Sequence, residues 1–516
     1  MMNIAREILS GGADSAVAVL HGDDAVTYAE VREQVAGIAG GLLARGHAKG
    51  DRIGILSENS VFFLQAYLGI IRSGLTAVPL QTEITPDVFS RIVSGTGLRE
   101  VFVSNRFLAR ARPWAKELGL TLVPEGECRN LFEHSQLAYP EVNPVSDLAA
   151  LMFTSGSTGV PKGVMVSHRN IECNTKDIIS YLELSPGDRA MVVLPFHYCF
   201  GLSLLHTVLM AGGSLVLNNE FRLFPEAMLE ELRGKECTGL AGVPSTYQIL
   251  LRRSRFRELE FPHLRWFQQA GGKLPNPCID ELLSAFPRTK YFLMYGQTEG
   301  TARLSYLPPE RVTDKLGSIG RGLPSTRLEV LRADGISVVP GSDEVGEIVA
   351  SGDNITRGYW NDPVETARYF KNGRLHTGDL ARLDSEGFIF IVEREREMIK
   401  SGGNRVSAKE VEDVIAELPD VVEVAVVGAP HELLGEAIKA FVVPGCKGRM
   451  TPQDVAAHCR RRLPAFKVPE DVIFLKTMVH NSAGKVLKPA LKKMLQEDTP
   501  VEASTERAAK PEYCSA

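Results

Sequence analysis

An apolar run, LAALMF from Leu148 to Phe153, empties directly into TSGSTGVPKGV, from Thr154 to Val164. Three glycines (Gly156, Gly159, Gly163), four hydroxyl residues (Thr154, Ser155, Ser157, Thr158) and Lys162 share eleven positions. Glycine lets backbone N–H groups turn towards an anion, hydroxyls add donors, and a lysine supplies a point charge. A strand running into such a loop is the chemistry of a polyphosphate cradle. It is not a Walker A loop, because Pro161 stands where the second glycine after Gly156 is required. Taken alone the stretch reads equally as a surface loop, since Gly/Ser/Thr clusters commonly are loops.

The surrounding chain narrows the choice. From the N-terminus to about residue 150, helix and strand patterns alternate. Thr27 and Glu30 form a T-x-x-E capping box before an apolar pattern that stops at Gly46. Arg52–Leu56 reads as a strand, and Phe62, Phe63, Ala66, Tyr67 and Ile70 recur at helical spacing. After the loop, strands are expected at Met191–Pro195, Ser214–Leu217, Gly239–Pro244, Arg265–Gly272 and Tyr291–Gly296. This βα alternation predicts an α/β fold with a mostly parallel sheet, which binds ligands at its strand ends. From about Gly317 the segments shorten into a β-rich subdomain with a hairpin turn at Asp384–Gly387. A charged junction, EREREMIKSGG, then leads into a small α+β domain. The expected division is 1–394, 395–493 and a patternless tail over 494–516.

Length allows more than one domain, and 44% apolar with 23% charged residues is ordinary globular composition. A net charge of −5 gives no electrostatic footprint for nucleic acid or an anionic membrane. The N-terminal stretch has no apolar core of signal-peptide length, and no apolar run is long enough to span a bilayer. Eight cysteines lie without CxxC spacing, which fits a reducing cytoplasm.

Six segments in order carry a resemblance across nearly the whole chain: TSGSTGVPKGV at 154–164, PFHYCFG at 195–201, YGQTE at 295–299, TGD at 377–379, the ERERE–MIKSGG junction, and NSAGKVLK at 481–488. Together they resemble the adenylate-forming superfamily of acyl- and aryl-CoA synthetases, luciferases and peptide-synthetase adenylation domains, and most closely the AMP-forming acyl-CoA synthetases. The resemblance implies a large N-terminal domain of mostly parallel α/β sheets with a β-rich subdomain, and a small mobile α+β C-terminal domain. It implies Mg2+, with ATP and CoA as co-substrates: a carboxylate attacks the α-phosphate, pyrophosphate leaves, and a thiol displaces AMP.

Residue by residue, the resemblance implies that Thr154, Ser155, Gly156, Ser157, Thr158, Gly159 and Lys162 hold the β- and γ-phosphates. Gly271, Gly272, Tyr295 and Gly296 border the nucleotide, with Tyr295 against adenine. Thr298 meets the α-phosphate and Glu299 ligates the metal. Asp379 accepts from both ribose hydroxyls, as a carboxylate with two free oxygens can, and Arg394 is a second ribose contact. Lys485 bridges the substrate carboxylate and the α-phosphate. Arg396 and Glu397 occupy the hinge, where Lys-Asp is usual. Gly402 and Gly403 match the turn that admits a pantetheine arm. His197 follows Phe196 where amino-acid-activating relatives commonly carry an aspartate for the α-ammonium, which favours a plain carboxylic acid. Tyr198, Phe200, Val243, Phe267 and Gln268 are expected in the acyl pocket. Lys273, where small or acidic residues are usual, either touches that pocket or faces solvent. A ligase loading a carrier-protein phosphopantetheine shares every one of these motifs, and a non-catalytic scaffold is the remote alternative.

Overall fold

The computed structural model describes residues 3–134, 139–154, 161–394, 398–431, 433–445, 450–481, 484 and 486–495. Two doubly wound sheets form the bulk of the molecule. The first runs, edge to edge, Ser305–Leu307, Lys290–Tyr295, Trp266–Gln269, Gly239–Gly242, Arg189–Val192, Ser214–Leu217, Val17–His21 and Asp24–Thr27. Its interior pairs are all parallel, and only the two edge strands run antiparallel. The second runs Thr121–Pro124, Glu100–Val103, Arg52–Leu56, Thr76–Pro79, Leu148–Thr154 and Lys162–Ser167, again parallel except at the final hairpin. Such strands are buried on both faces, which is why they read as short unbroken apolar runs.

Local chemistry sets the element ends. Thr27 caps the helix Tyr28–Ala44 in a full reciprocal box with Glu30, and Ser60 caps Val61–Arg72 through the Phe63 N–H. The strand expected over Met191–Pro195 lies at Arg189–Val192. Pro195 cannot donate to a ladder, and Asn59 takes over there: its amide donates to the Leu194 carbonyl and its Oδ1 accepts from Phe196 N–H. Pro244 opens a helix, Pro244–Arg253, rather than ending a strand.

The β-rich subdomain is antiparallel, built on Thr326–Leu331, Gly346–Gly352, Arg374–Leu383 and Ile389–Arg394, with the last two joined through the Asp384–Gly387 turn. The C-terminal sheet orders Asn404–Val406, Ile399–Ser401, Gly435–Pro444 and Val421–His431, with Asp471–Phe474 parallel to Gly435–Pro444. Helices Ala408–Ile415 and Pro452–Arg462 cover one face and Lys488–Met494 the other. No helix among the described residues is long and apolar enough to cross a membrane.

Parallel strands put all their C-terminal ends on one edge. In the first sheet, the loops leaving Val192, Gly242, Gln269 and Tyr295 therefore converge, and these carry His197, Val243, Gly271 and Glu299.

Candidate active site

The segment after Tyr295 is backbone-constrained. A Cβ on Gly296 would lie 1.9 Å from the Ala302 carbonyl oxygen, so only glycine fits this close approach. The turn that follows holds Thr301 at φ 65 and Ala302 at φ 145, both outside the regions non-glycine residues favour. Surrounding bonds hold it: Thr301 Oγ1 donates to the Asn354 carbonyl at 2.6 Å, Thr356 N–H to the Glu299 carbonyl at 2.9 Å, and Leu304 N–H to the Tyr295 carbonyl at 2.9 Å. The result is a rigid presentation of Thr298 and Glu299. Thr298 Oγ1 lies 3.4 Å from the Cys199 sulfur, and burial pushes that thiol upward in pKa.

Glu299 is tied to the glycine-rich hairpin by two aromatic residues. Its Oε1 accepts from the Tyr359 hydroxyl at 2.7 Å. Lys162 stands 5.4 Å from the Tyr359 ring centroid and 5.8 Å from that of Tyr369, and its ammonium ion-pairs with Glu365. Burial, then the charge of Glu299, pushes the Tyr359 phenol well above its usual range, so it stays a donor. Thr154 and Lys162 are register partners across the hairpin. Ser155, Gly156, Ser157, Thr158 and Gly159 between them lie outside the described residues.

Tyr295 and Asp379, separated by 84 positions, meet: the phenol donates to Asp379 Oδ2 at 2.6 Å. Asp379 is 2% exposed and sits in the strand Arg374–Leu383, opposite Arg394 in register. The Gly378 N–H donates to Glu347 at 3.0 Å, which fixes the chain just before it.

The loops after Val192, Gly242 and Gln269 are lined differently. Burial pushes His197 down to about 4, so its imidazole is neutral at pH 7. Gly271 has φ +85, and a Cβ there would lie 3.0 Å from Val243 Cγ1 and 3.8 Å from the Tyr198 hydroxyl. Tyr198, Val243 and Gly271 thus frame one mouth, with Gly272 against Pro244. Phe200, on the first turn of the helix Cys199–Met210, and Gln268 are both buried. Phe267 does not join them. It points to the opposite face of the sheet, edge-on to Tyr247, Phe256 and Phe286, because neighbouring strand residues alternate faces.

The C-terminal domain reaches this mouth through Gly484. Its carbonyl accepts from Ser245 Oγ at 3.0 Å, and a Cβ there would meet Arg222 Nη2 at 2.6 Å and Val243 Cγ2 at 2.9 Å. Lys485, the next residue, lies outside the described residues, as do Arg396 and Glu397. Gly402 and Gly403 form a left-handed turn, φ 57 and 78, whose nearest neighbour is Leu434 of their own domain. The structure therefore seats Gly484, and not this turn, at the mouth. Lys273 is partly exposed, and its ammonium lies 2.6 Å from Asp413 on the helix Ala408–Ile415.

A family model described as "AMP-binding enzyme" matches residues 10–360, and one described as its C-terminal domain matches 410–485. The chain belongs to the AMP-binding enzyme family. A feruloyl-CoA synthase of Amycolatopsis sp is 33% identical over 92% of this chain and 94% of its own. A long-chain-fatty-acid–CoA ligase of Mycobacterium tuberculosis is 31% identical over 93% and 95%. The o-succinylbenzoate CoA synthetase of Bacillus subtilis, solved in complex with ATP and magnesium ion, superposes with a TM-score of 0.81 at 27% identity, covering 95% of this chain and 99% of that one. As a member of this family, the chain is an AMP-forming acid–thiol ligase of the acyl-CoA synthetase type.

Within this AMP-binding enzyme a magnesium ion fits Glu299. Oε1 is held by Tyr359, and Oε2 accepts no hydrogen bond from a described residue. Mg2+ takes one or two carboxylates plus substrate phosphates rather than an all-protein cage. No cluster of three or more His, Cys, Asp or Glu suited to a metal occurs among the described residues. Sequence reasoning missed Tyr359, Glu365, Ser245 and Arg222. The RGYW run at 357–360, a paired aromatic after a glycine, was the available signal for the first. The others are ordinary surface-type residues until the fold brings them in.

Proposed function

We propose that this enzyme activates a carboxylic acid lacking an α-amino group and transfers the acyl group to CoA. One carboxylate oxygen attacks the α-phosphorus of ATP. The bond to the bridging oxygen breaks, and pyrophosphate leaves with the electron pair. The CoA thiolate then attacks the acyl carbon and AMP departs, the thiol proton passing to solvent. Most of the rate comes from positioning and charge stabilisation. Lys162 and the loop from Thr154 would hold the β- and γ-phosphates. Tyr295 and Asp379 would hold the nucleoside, with Arg394 beside them, and Thr298 the α-phosphate. Magnesium held at Glu299 would neutralise phosphate charge. Lys485 would bridge carboxylate and α-phosphate, Arg396 and Glu397 would pivot the small domain, and Gly402 and Gly403 would later admit the pantetheine arm. A division at 1–394 and 395–493 suits that motion.

The observation that carries this reading is the convergence on one strand edge of Glu299, the Tyr295–Asp379 pair and the docked Gly484. Neutral, buried His197 supports the choice of acid, because it offers no counter-charge to an ammonium group. The test is pyrophosphate release from ATP and Mg2+ with alkyl, aryl and amino acids, with and without CoA. Acid-dependent release with acyl-CoA formation is expected. Release that never acylates CoA, even at saturation, sinks the choice of acceptor and leaves a carrier-protein phosphopantetheine. No release with any acid sinks the whole reading.

A further inference from the structure

Between the first sheet and the helices His168–Leu182 and Cys199–Met210, Arg303 and Gln268 are buried polar side chains with unbonded atoms. Arg303 is 1% exposed. Its backbone is clamped: the carbonyl accepts from Asn174 Nδ2 at 2.8 Å and Asn354 Nδ2 at 3.0 Å. Its Nε donates to the Tyr181 hydroxyl at 3.2 Å, and Cζ stands 4.6 Å from the ring centroid of Phe200. Nη2 is buried with no hydrogen-bond partner, and no carboxylate of a described residue ion-pairs with the guanidinium. Asp177, one turn away on the Tyr181 helix, is turned to the Ser325 N–H and hydroxyl. Gln268 is also 1% exposed, and neither its Oε1 nor its Nε2 has a partner. Its register neighbour Phe292 packs 5.7 Å from the Tyr181 ring, which binds Arg303.

A buried guanidinium without a counter-charge and an unbonded buried amide are both unfavourable unless something completes them. The place identifies that something. Phe200 lies on the first turn of the helix capped by Tyr198, which frames the acyl mouth with Gly271. Resting on the ligase reading above, we propose that the acid this enzyme activates carries a second carboxylate, remote from the one that is adenylated. Arg303 receives it, with Gln268 Nε2 as a further donor. A bidentate guanidinium suits a carboxylate, and the clamped backbone presets its position. Arg303 is a specificity-determining residue, placed away from the reacting atoms.

The test compares acids of matched length, alkyl and aryl, ending in methyl, hydroxyl or carboxylate, by kcat/KM for pyrophosphate release. The wild-type enzyme should favour the carboxylate-ended member by tenfold or more. Arg303→Met should abolish or invert that ratio, Arg303→Lys should restore part of it, and Gln268→Leu should lower it several-fold. Should Arg303→Met fail to fold, the wild-type ratios and Arg303→Lys carry the test. Preference for methyl- or hydroxyl-ended acids at every length overturns the inference while leaving the ligase reading intact. Absence of release with every acid overturns the ligase reading itself.

Discussion

The ion pair between Lys273 and Asp413 joins the two domains, so its removal should shift their relative stability rather than unfold either. The side chains are 24% and 37% exposed and 2.6 Å apart. Solvent screening at that exposure leaves such a pair about 1 kcal/mol at most. That is about a fivefold change in the ratio of docked to undocked small domain, since about 1.4 kcal/mol is tenfold. Lys409 softens the loss. Burial disfavours its ammonium and so does the charge of Lys273, while Asp413 favours it. With Lys273 gone, Asp413 gains a less hindered partner. Lys273→Ala should therefore slow single-turnover adenylate formation about two- to fivefold, by the same screened-pair reasoning. Thioester formation from preformed adenylate should not slow. Lys273→Glu sets two carboxylates face to face and roughly doubles the energy, giving about 30-fold on the first step. The exchange Lys273→Glu with Asp413→Lys should recover most of that. The wild-type advantage should also shrink in 1 M salt, where the screening length is about 3 Å. Equal slowing of both half-reactions, or a charge exchange no better than its single variants, would refute the latch.

Three further outcomes follow from the geometry. Gly296→Ala forces a methyl group into the Ala302 carbonyl, 1.9 Å away; it should destabilise the protein by about 1–3 kcal/mol, the range for overpacking, read as a lower unfolding midpoint together with lost adenylation. Glu299→Gln should raise the Mg2+ needed for half-maximal pyrophosphate release by about tenfold, because a neutral amide is a poorer ligand for a hard cation. Tyr359→Phe, which only removes the 2.7 Å bond to that carboxylate, should give a smaller shift in the same titration. Acid stability should be poor. Burial holds His168, His197 and His206 down to about 4, 4 and 3, so near pH 5 the unfolded chain binds more protons than the folded one. The stability from keeping them neutral is complete above the unfolded value of about 6.5 and is lost as pH falls towards 4, at roughly 4 kcal/mol per pH unit for three groups. Urea midpoints at pH 7 and pH 5 measure it, and His206→Gln should flatten the slope by about a third. An unchanged midpoint would show that these rings are not buried neutral.

Much of this molecule was legible in the chain because local chemistry and fold agree. Ser214–Leu217 reads as a strand and is one. The box at Thr27 and Glu30 opens its helix, and the glycine turn at Gly402–Gly403 closes a hairpin. Agreement fails where the deciding partner is distant. Lys273 could not announce Asp413, 140 positions on, nor Glu299 announce Tyr359, 60 positions on. Phe267 is another kind of miss. Spacing between motifs gave it to the acyl pocket along with Gln268, but the pleat sends adjacent residues to opposite faces. Phe267 then does what a core aromatic should, packing among Tyr247, Phe256 and Phe286. Gln268 does not: it is an amide where the pattern asks for an apolar side chain. Arg303 breaks the same rule from the next loop. A core under stability alone would have discarded both, since apolar residues of similar volume would pack there without an unpaired group. Their shared layer begins at the Tyr198 mouth, so the two departures from the core pattern locate the part of the site that chooses the substrate. The motifs, by contrast, locate the part that treats every acid alike.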